Sequence, residues 1–370
     1  MKLGFIIYGS LDTLSGGYLY DRRLVEYLRA RGDTVEVISL PWRNYAAHLM
    51  DNLHFRLPQQ HGIARRRAAK QSPLERKLDI LIQDELNHPS LVLANPGKHP
   101  YPVISLVHHL RCSELRPAWQ NALYRAVEKT YLKLVDGFIF NSKTTRNIVH
   151  QLVGSAKPGI VAYPPTDRFG SPITEEEINE RAQRQPLRIL FLGNLIRRKG
   201  LHTLLEAILA KPSGLRVDVV GSLTSEPGYA KQIQQYITEH ELSSFVFLHG
   251  PLDKEPLIEK LRQAHTLVVP SSYEGFGIVY LEGMCFGLPA IGTTAGAAGE
   301  VISDRVDGFL VEPGDVRSLA DRLELLNQKR DLLVRMSLAA RQRYLRQPGW
   351  DESAGQIREF LLKQIREFSV

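Results

Sequence analysis

A chain of 370 residues is too long for one ordinary hydrophobic core and suits two domains of comparable size. With 43% hydrophobic and 24% charged residues it is neither disordered nor fibrous, and its two distant cysteines, Cys112 and Cys285, argue against a disulfide framework or a metal knuckle and for a reducing, cytoplasmic setting. The formal charge of +7 favours an anionic partner, and no apolar run approaches the ~18 residues of a bilayer span.

The opening run 3–8 has the length of a strand and is soon followed by Asp12, so it reads as a first strand rather than a leader. A loop with Gly9, Gly16 and Gly17 precedes a helix over 18–31, a stop at Gly32 and a strand over 34–39. An irregular basic segment over 43–77 follows; within it, from 56 to 77, Arg56, Arg65, Arg66, Arg67, Lys70, Arg76 and Lys77 crowd around a single acid, Glu75. Candidate strands at 78–82 and 91–94, a better one at 102–107, a helix at 118–134, a strand at 137–141 and a helix at 143–152 complete the first half.

Composition turns loop-like from Val161 to Pro186, and 166–186 reads as a linker. A second alternation follows, with strands at 187–192, 215–220, 245–248 and 266–270 and helices at 201–210, 229–240 and 254–264. After a helix starting near Gly277 come a strand at 289–292, a turn region at 308–314, and helices near 316–327, 332–345 and 353–368. Strand and helix in alternation predict parallel sheets covered on both faces, with ligands at the carboxyl ends of the strands in a cleft between the two units. The expected domains are 1–165 with 351–370, and 187–350.

The densest chemistry lies in the run from Pro270 to Glu282. Glu274 follows a strand, and the first free N–H groups of the next helix point to whatever lies beside it, a ready site for an anionic or oxygen-rich ligand. Glu282, eight residues on, has the apolar helical neighbours Ile278, Val279, Cys285 and Phe286. A carboxylate there needs a partner, either an Arg or Lys from elsewhere or a ligand diol. In Leu192-Gly-Asn-Leu-Ile-Arg-Arg-Lys-Gly200, three cations at a helix start oppose the macrodipole, and a bound diphosphate held by Arg198 and Lys199 would resolve the conflict.

In the first half, Gly16 and Gly17 either let the backbone approach a phosphate or form a turn; they are not the dinucleotide fingerprint. His108 and His109 follow the strand at 102–107, and alternation sends them to opposite sides. No Asp-x-Asp occurs, so no metal bridging a diphosphate is indicated and no cofactor is expected.

Glu274-x7-Glu282, the Arg197-Arg198-Lys199-Gly200 turn, Gly16-Gly17 and the run Gly287-Leu-Pro289…Gly308-Phe-Leu-Val311…Pro313-Gly314-Asp315 resemble glycosyltransferase family 4, over nearly the whole chain. The resemblance implies a GT-B fold, two Rossmann-like doubly wound domains facing each other across a cleft, with the last helix and Trp350 crossing back to the first. It implies a retaining transfer of a hexose from a nucleotide-diphosphate sugar. Glu274 then faces the sugar hydroxyls, the backbone of Gly275, Phe276 and Gly277 holds sugar and phosphate, Glu282 binds the ribose and Lys199 the diphosphate. Gly16 and Gly17 approach the phosphates and His108 lies by the reacting sugar. One departure is Asn194, where many members carry a phosphate-binding Arg; Arg198 or Arg197 supplies that charge instead.

A nucleotide-sugar epimerase of the same architecture and a non-catalytic sugar-nucleotide-binding protein are the competing readings. Nucleic acid is not an expected partner, because no recognised binding module or basic-aromatic pattern is present. The basic 43–77 segment is expected to line the acceptor side or to touch anionic membrane, consistent with a glycan or lipid-linked acceptor and a peripheral position on the inner membrane face.

Overall fold

The computed structural model describes residues 1–368 except 14, 54, 58–77, 166–167 and 211–213. Among the described residues, twelve strands form two six-stranded sheets whose neighbours all pair in parallel. The chain divides into two compact units, 1–164 with 348–370, and 165–347.

The first unit runs β1 (Lys2–Tyr8), α1 (Gly16–Ala30), β2 (Thr34–Leu40), α2 (Tyr45–Asp51), β3 (Ile80–Asp84), α3 (His88–Leu91), β4 (Val103–Val107), α4 (Ala118–Leu134), β5 (Gly137–Phe140), α5 (Lys143–Val153) and β6 (Gly159–Val161). Its strand order is β2-β1-β3-β4-β5-β6. Alternation along β1 sends Phe5 and Ile7 into one buried layer and Ile6 and Tyr8 into the other, which is why the strand reads as a continuous apolar run. Ser15 caps α1 by accepting from Tyr18 N–H at 3.3 Å, which starts the helix at the two glycines.

The second unit holds α6 (Glu175–Ala182), β7 (Leu187–Leu192), α7 (Leu201–Ala210), β8 (Leu215–Val220), α8 (Pro227–Glu239), β9 (Val246–Gly250), α9 (Lys254–Gln263), β10 (Thr266–Val268), α10 (Ile278–Cys285), β11 (Ala290–Thr293), α11 (Ala298–Val301), β12 (Gly308–Val311), α12 (Val316–Gln328) and α13 (Arg330–Leu345). The order β12-β11-β10-β7-β8-β9 reverses direction between β7 and β10, and ligands of such sheets sit outside the carboxyl ends at that reversal. The chain then returns to the first unit as α14 (Trp350–Phe368). Ala354, Ile357 and Leu361 of α14 join the core layer of Phe5, Ile7 and Leu24, and Arg358 grips Asp33 with two bonds of 2.7 and 3.2 Å.

Several local expectations change. Within 166–186, read as a linker, Thr174 and Glu177 form a reciprocal capping box and α6 buries Ile178 and Ala182 in the second unit. The run 308–311 is the edge strand β12, paired with β11, rather than a turn. No strand forms at 91–94, because α3 extends through Leu91 and a turn follows. Residues 58–77, with most of the basic cluster, lie outside the described residues.

Candidate functional site

The loops that follow β7 and β10 are stitched together at the reversal of the second sheet. Ser272 N–H donates to Arg198 O at 2.8 Å, and Arg198 Nη1 donates to Tyr273 O at 2.6 Å. Gly200 makes the close approach possible: its φ is +74°, and a Cβ there would lie 2.1 Å from Pro270 O. The result is a part-buried ion pair, Lys199 Nζ to Glu274 Oε1 at 2.6 Å, with Ser271 Oγ donating to the same oxygen at 2.6 Å and Arg198 Nη1 4.0 Å from the other.

Burial alone would raise the Glu274 pKa, but the charges of Lys199 and Arg198 and the bonds from Lys199 and Ser271 outweigh it and hold the group at about 2. Burial pulls the Lys199 pKa below its ordinary value, against the opposing pull of Glu274. Glu274 is therefore a carboxylate at neutral pH, fitted to accept hydrogen bonds rather than to donate a proton. Gly277, at φ +91°, opens α10, and the backbone at Gly275, Phe276 and Gly277 lies between the two glutamates in sequence.

The three cations of the 197–199 turn diverge. Arg197 faces α8, where its N–H donates to Glu226 at 2.9 Å, its guanidinium to Gln232 at 2.6 Å, and its cation lies over the Tyr229 ring. Arg198 and Lys199 turn to Glu274 instead. Protein carboxylates thus meet part of the conflict that a bound anion was invoked to resolve. Asn194 uses Oδ1 to accept from Ser222 N–H at 3.1 Å, fixing its loop to the one after β8.

Glu282 has a protein partner, Arg168 Nη1 at 2.9 Å, so the ion-pair alternative is realised. Burial raises the Glu282 pKa, and Arg168 opposes it. Sequence reasoning had no means to find Arg168, 114 residues away. Ser271 was within the motif, but its aim at Glu274 depends on the turn.

In the first unit, His108 stands at the carboxyl end of β4 against the start of α1. A Cβ on Gly17 would lie 3.3 Å from its Cδ2, and its Nε2 donates to Asp21 Oδ1 at 2.9 Å. Asp84, at the end of β3, completes a buried cluster with them. Burial works to lower the His108 pKa, and the Asp21 and Asp84 carboxylates outweigh it and raise it. His109 turns elsewhere, to Glu114 at 2.9 Å. Asp21 was missed, although it sits one helical turn after Gly17 and so shares its face.

Two Rossmann-like sheets, the second carrying a carboxylate–ammonium pair at its switch point, define a GT-B class α/β protein. The model of glycosyltransferase family 4 matches residues 19–168 and that of glycosyl transferases group 1 matches 173–343. The chain belongs to glycosyltransferase family 4. It is 27% identical over 240 residues to a D-inositol 3-phosphate glycosyltransferase of Xylanimonas cellulosilytica, covering 61% of this chain and 57% of that protein. It is 27% identical over 277 residues to a glycogen synthase of Mycobacterium tuberculosis, covering 72% and 64%. The chain thus spans under two thirds of the length of either relative. In fold it is similar to a sucrose-phosphate synthase from Thermosynechococcus elongatus, at TM-score 0.78 and 20% identity over 99% of both chains. It is also similar to HepE of Anabaena, solved with UDP-glucose, at TM-score 0.71 and 19% identity over 98% of this chain and 100% of that one.

Proposed function

We propose that this chain is a retaining hexosyltransferase that moves a hexose from a nucleotide-diphosphate sugar to a glycan or lipid-linked acceptor, without a divalent ion at the diphosphate. The observation that carries the reading is the Lys199–Glu274 pair at the switch point, with Arg198 beside it. Glu274 orients sugar hydroxyls by accepting from them. Arg198 and Lys199 stabilise charge on the departing diphosphate, a preorganised electrostatic role. Gly275, Phe276 and Gly277 offer backbone to sugar and phosphate, Asn194 holds its loop at the donor, and Glu282 takes the ribose. From the first unit the reading assigns Gly16 and Gly17 to the phosphates and His108 to the sugar. The leaving phosphate helps deprotonate the acceptor on the same face, which retains anomeric configuration.

Product analysis with a labelled donor tests the reading. Transfer to acceptor with retained configuration, at a rate that does not rise with added Mg²⁺ or Mn²⁺, is expected. Free nucleotide with epimerised sugar and no acceptor would reassign the chain as an epimerase, and binding without turnover would make it a sugar-nucleotide-binding protein.

The same reading places the protein on the cytoplasmic face of a membrane. Among the described residues no helix is long and apolar enough to cross one. Helix α4 supports peripheral contact: Trp119 and Leu123 are 69% and 51% exposed, and the exposed Arg125, Lys129 and Lys133 run along it. A cavity of 350 Å³ lined by Leu49, Leu93, Ala126 and Val127 adds apolar surface beside it. Co-sedimentation with anionic vesicles but not with neutral ones is expected, and equal recovery from both would remove this part of the reading.

A further inference from the structure

The first unit buries a second cluster of ionisable groups that the transfer reaction does not use. Glu85 lies just past β3, His88 opens α3, and Glu128 sits midway along α4; they are 1%, 2% and 1% exposed. One ligand atom from each lies within 4.8 Å of the others. Among the described residues neither oxygen of Glu85 has a well-formed hydrogen-bond partner, although the group is fully enclosed; the backbone N–H of His109 and the charge of Arg111 act on it from farther off. A buried carboxyl in this condition needs a proton or a cation.

The neighbouring groups are arranged for a cation. His88 Nδ1 meets the Glu85 backbone carbonyl at 2.9 Å, and a carbonyl only accepts, so Nδ1 carries the hydrogen. Nε2 then presents its lone pair, facing the Tyr45 hydroxyl at 3.1 Å. A ring nitrogen held by a backbone carbonyl on its far side is the usual setting of a metal-bound histidine. Glu128 is oriented in turn by the N–H groups of Arg111 and Cys112, at 2.6 and 3.2 Å. The guanidinium of Arg111 is stacked over the Tyr45 and Tyr124 rings, 5.3 Å from each centroid, so its charge favours both carboxylates from a distance without forming an ion pair with either among the described residues.

We propose that Glu85, His88 and Glu128 bind one divalent first-row transition-metal ion that ties α3 to α4 within the first unit. Two carboxylate oxygens and one imidazole suit zinc, manganese or iron better than magnesium or calcium, which favour all-oxygen sets. Tetrahedral bonds near 2.0 Å place ligand atoms about 3.3 Å apart, so the side chains need only close in on the ion. The Tyr45 hydroxyl gives up its bond to Nε2 on binding.

The test uses the purified chain, dialysed against chelator and titrated with Co²⁺ and Zn²⁺, read by metal content, Co²⁺ ligand-field absorption and Tm. About one equivalent retained after desalting and a Tm raised by a few degrees are expected, both lost in Glu85→Gln and His88→Ala and both kept in His240→Ala at an exposed helix end. Should His88→Ala not fold, Glu85→Gln, which matches the carboxyl in shape, decides with the wild type. A wild type that retains no more metal than Glu85→Gln, or a Tm rise equal in the two, overturns the site and leaves Glu85 holding a proton. These readouts do not involve glycosyl transfer, so they stand or fall separately from the proposed activity.

Discussion

Lys199 and Glu274 are 75 residues apart in the chain and 2.6 Å apart at Nζ and Oε1. Each offsets the other's burial, and both stay charged where a ligand's hydroxyls and phosphates would meet them. Replacing Glu274 with Gln, or Lys199 with Met, is expected to lower transfer by roughly two or more orders of magnitude, the scale of losing a key electrostatic contact. Initial rates of protein shown by circular dichroism to be folded provide the check. Near wild-type rates in both variants would remove the pair from the mechanism.

The Arg168 guanidinium pairs with Glu282, so on the proposed reading, in which that carboxylate takes the ribose, ligand and arginine would compete for it. Glu282→Ala is expected to weaken nucleotide-sugar binding by roughly tenfold to a hundredfold, in line with ~1.5–3 kcal/mol for hydrogen bonds to a charged group. Arg168→Ala is expected to leave affinity unchanged or to strengthen it. Calorimetric titration separates these results, and a loss of affinity in Arg168→Ala would show that the arginine holds the ligand itself.

The raised pKa of His108 makes a pH prediction of definite sign. A group whose folded pKa lies above its unfolded value contributes stability that is full below about 6.5 and fades as pH rises through the folded value. Asp21→Asn removes the larger of the two carboxylate effects, so the His108 imidazole is expected to titrate lower in that variant. NMR titration of the ring resonances reads this directly, and an unmoved midpoint would show that Asp21 does not set the charge.

Glu274 carries the opposite sign, since its pKa is held near 2 against an ordinary 4.5. Its contribution is present above about 4.5 and is lost as pH falls toward 2. Denaturant midpoints of the wild type are expected to fall over that window more steeply than those of Glu274→Gln. Parallel curves would contradict the ion pair.

Helix α14 completes the first unit's core, and Ile357 is fully buried in it. Ile357→Ala is expected to cost about 3 kcal/mol, within the usual range for emptying such a site. Arg358→Ala is expected to cost less, since its side chain is 30% exposed. Urea unfolding gives both values, and a larger loss in Arg358→Ala would reverse the ranking of packing over charge.

Much of the second unit was legible because its strands and helices differ in period. The predicted 187–192, 201–210 and 215–220 coincide with β7, α7 and β8. Helix α6 was hidden by three consecutive glutamates that read as loop, although the Thr174-x-x-Glu177 capping pattern was visible. β12 was hidden by the glycines and proline around it, and the helical turn at His88–Leu91 by a short apolar run that fits either period. The site was legible as residue types in motifs. Its pairings were not.

The sequence by itself determined the alternation of strand and helix, the glycines that permit sharp turns, and the carboxylates and cations gathered after two strands, because periodicity and backbone freedom are local properties. Only the tertiary structure decided that β7 and β10 are neighbours, that Lys199 rather than Arg197 meets Glu274, that Arg168 reaches Glu282, and that Glu85 is enclosed beside His88 and Glu128. Those facts depend on which distant segments exclude water from one another. Burial then sets how strongly each charge needs its neighbour, and neither can be read from spacing along the chain.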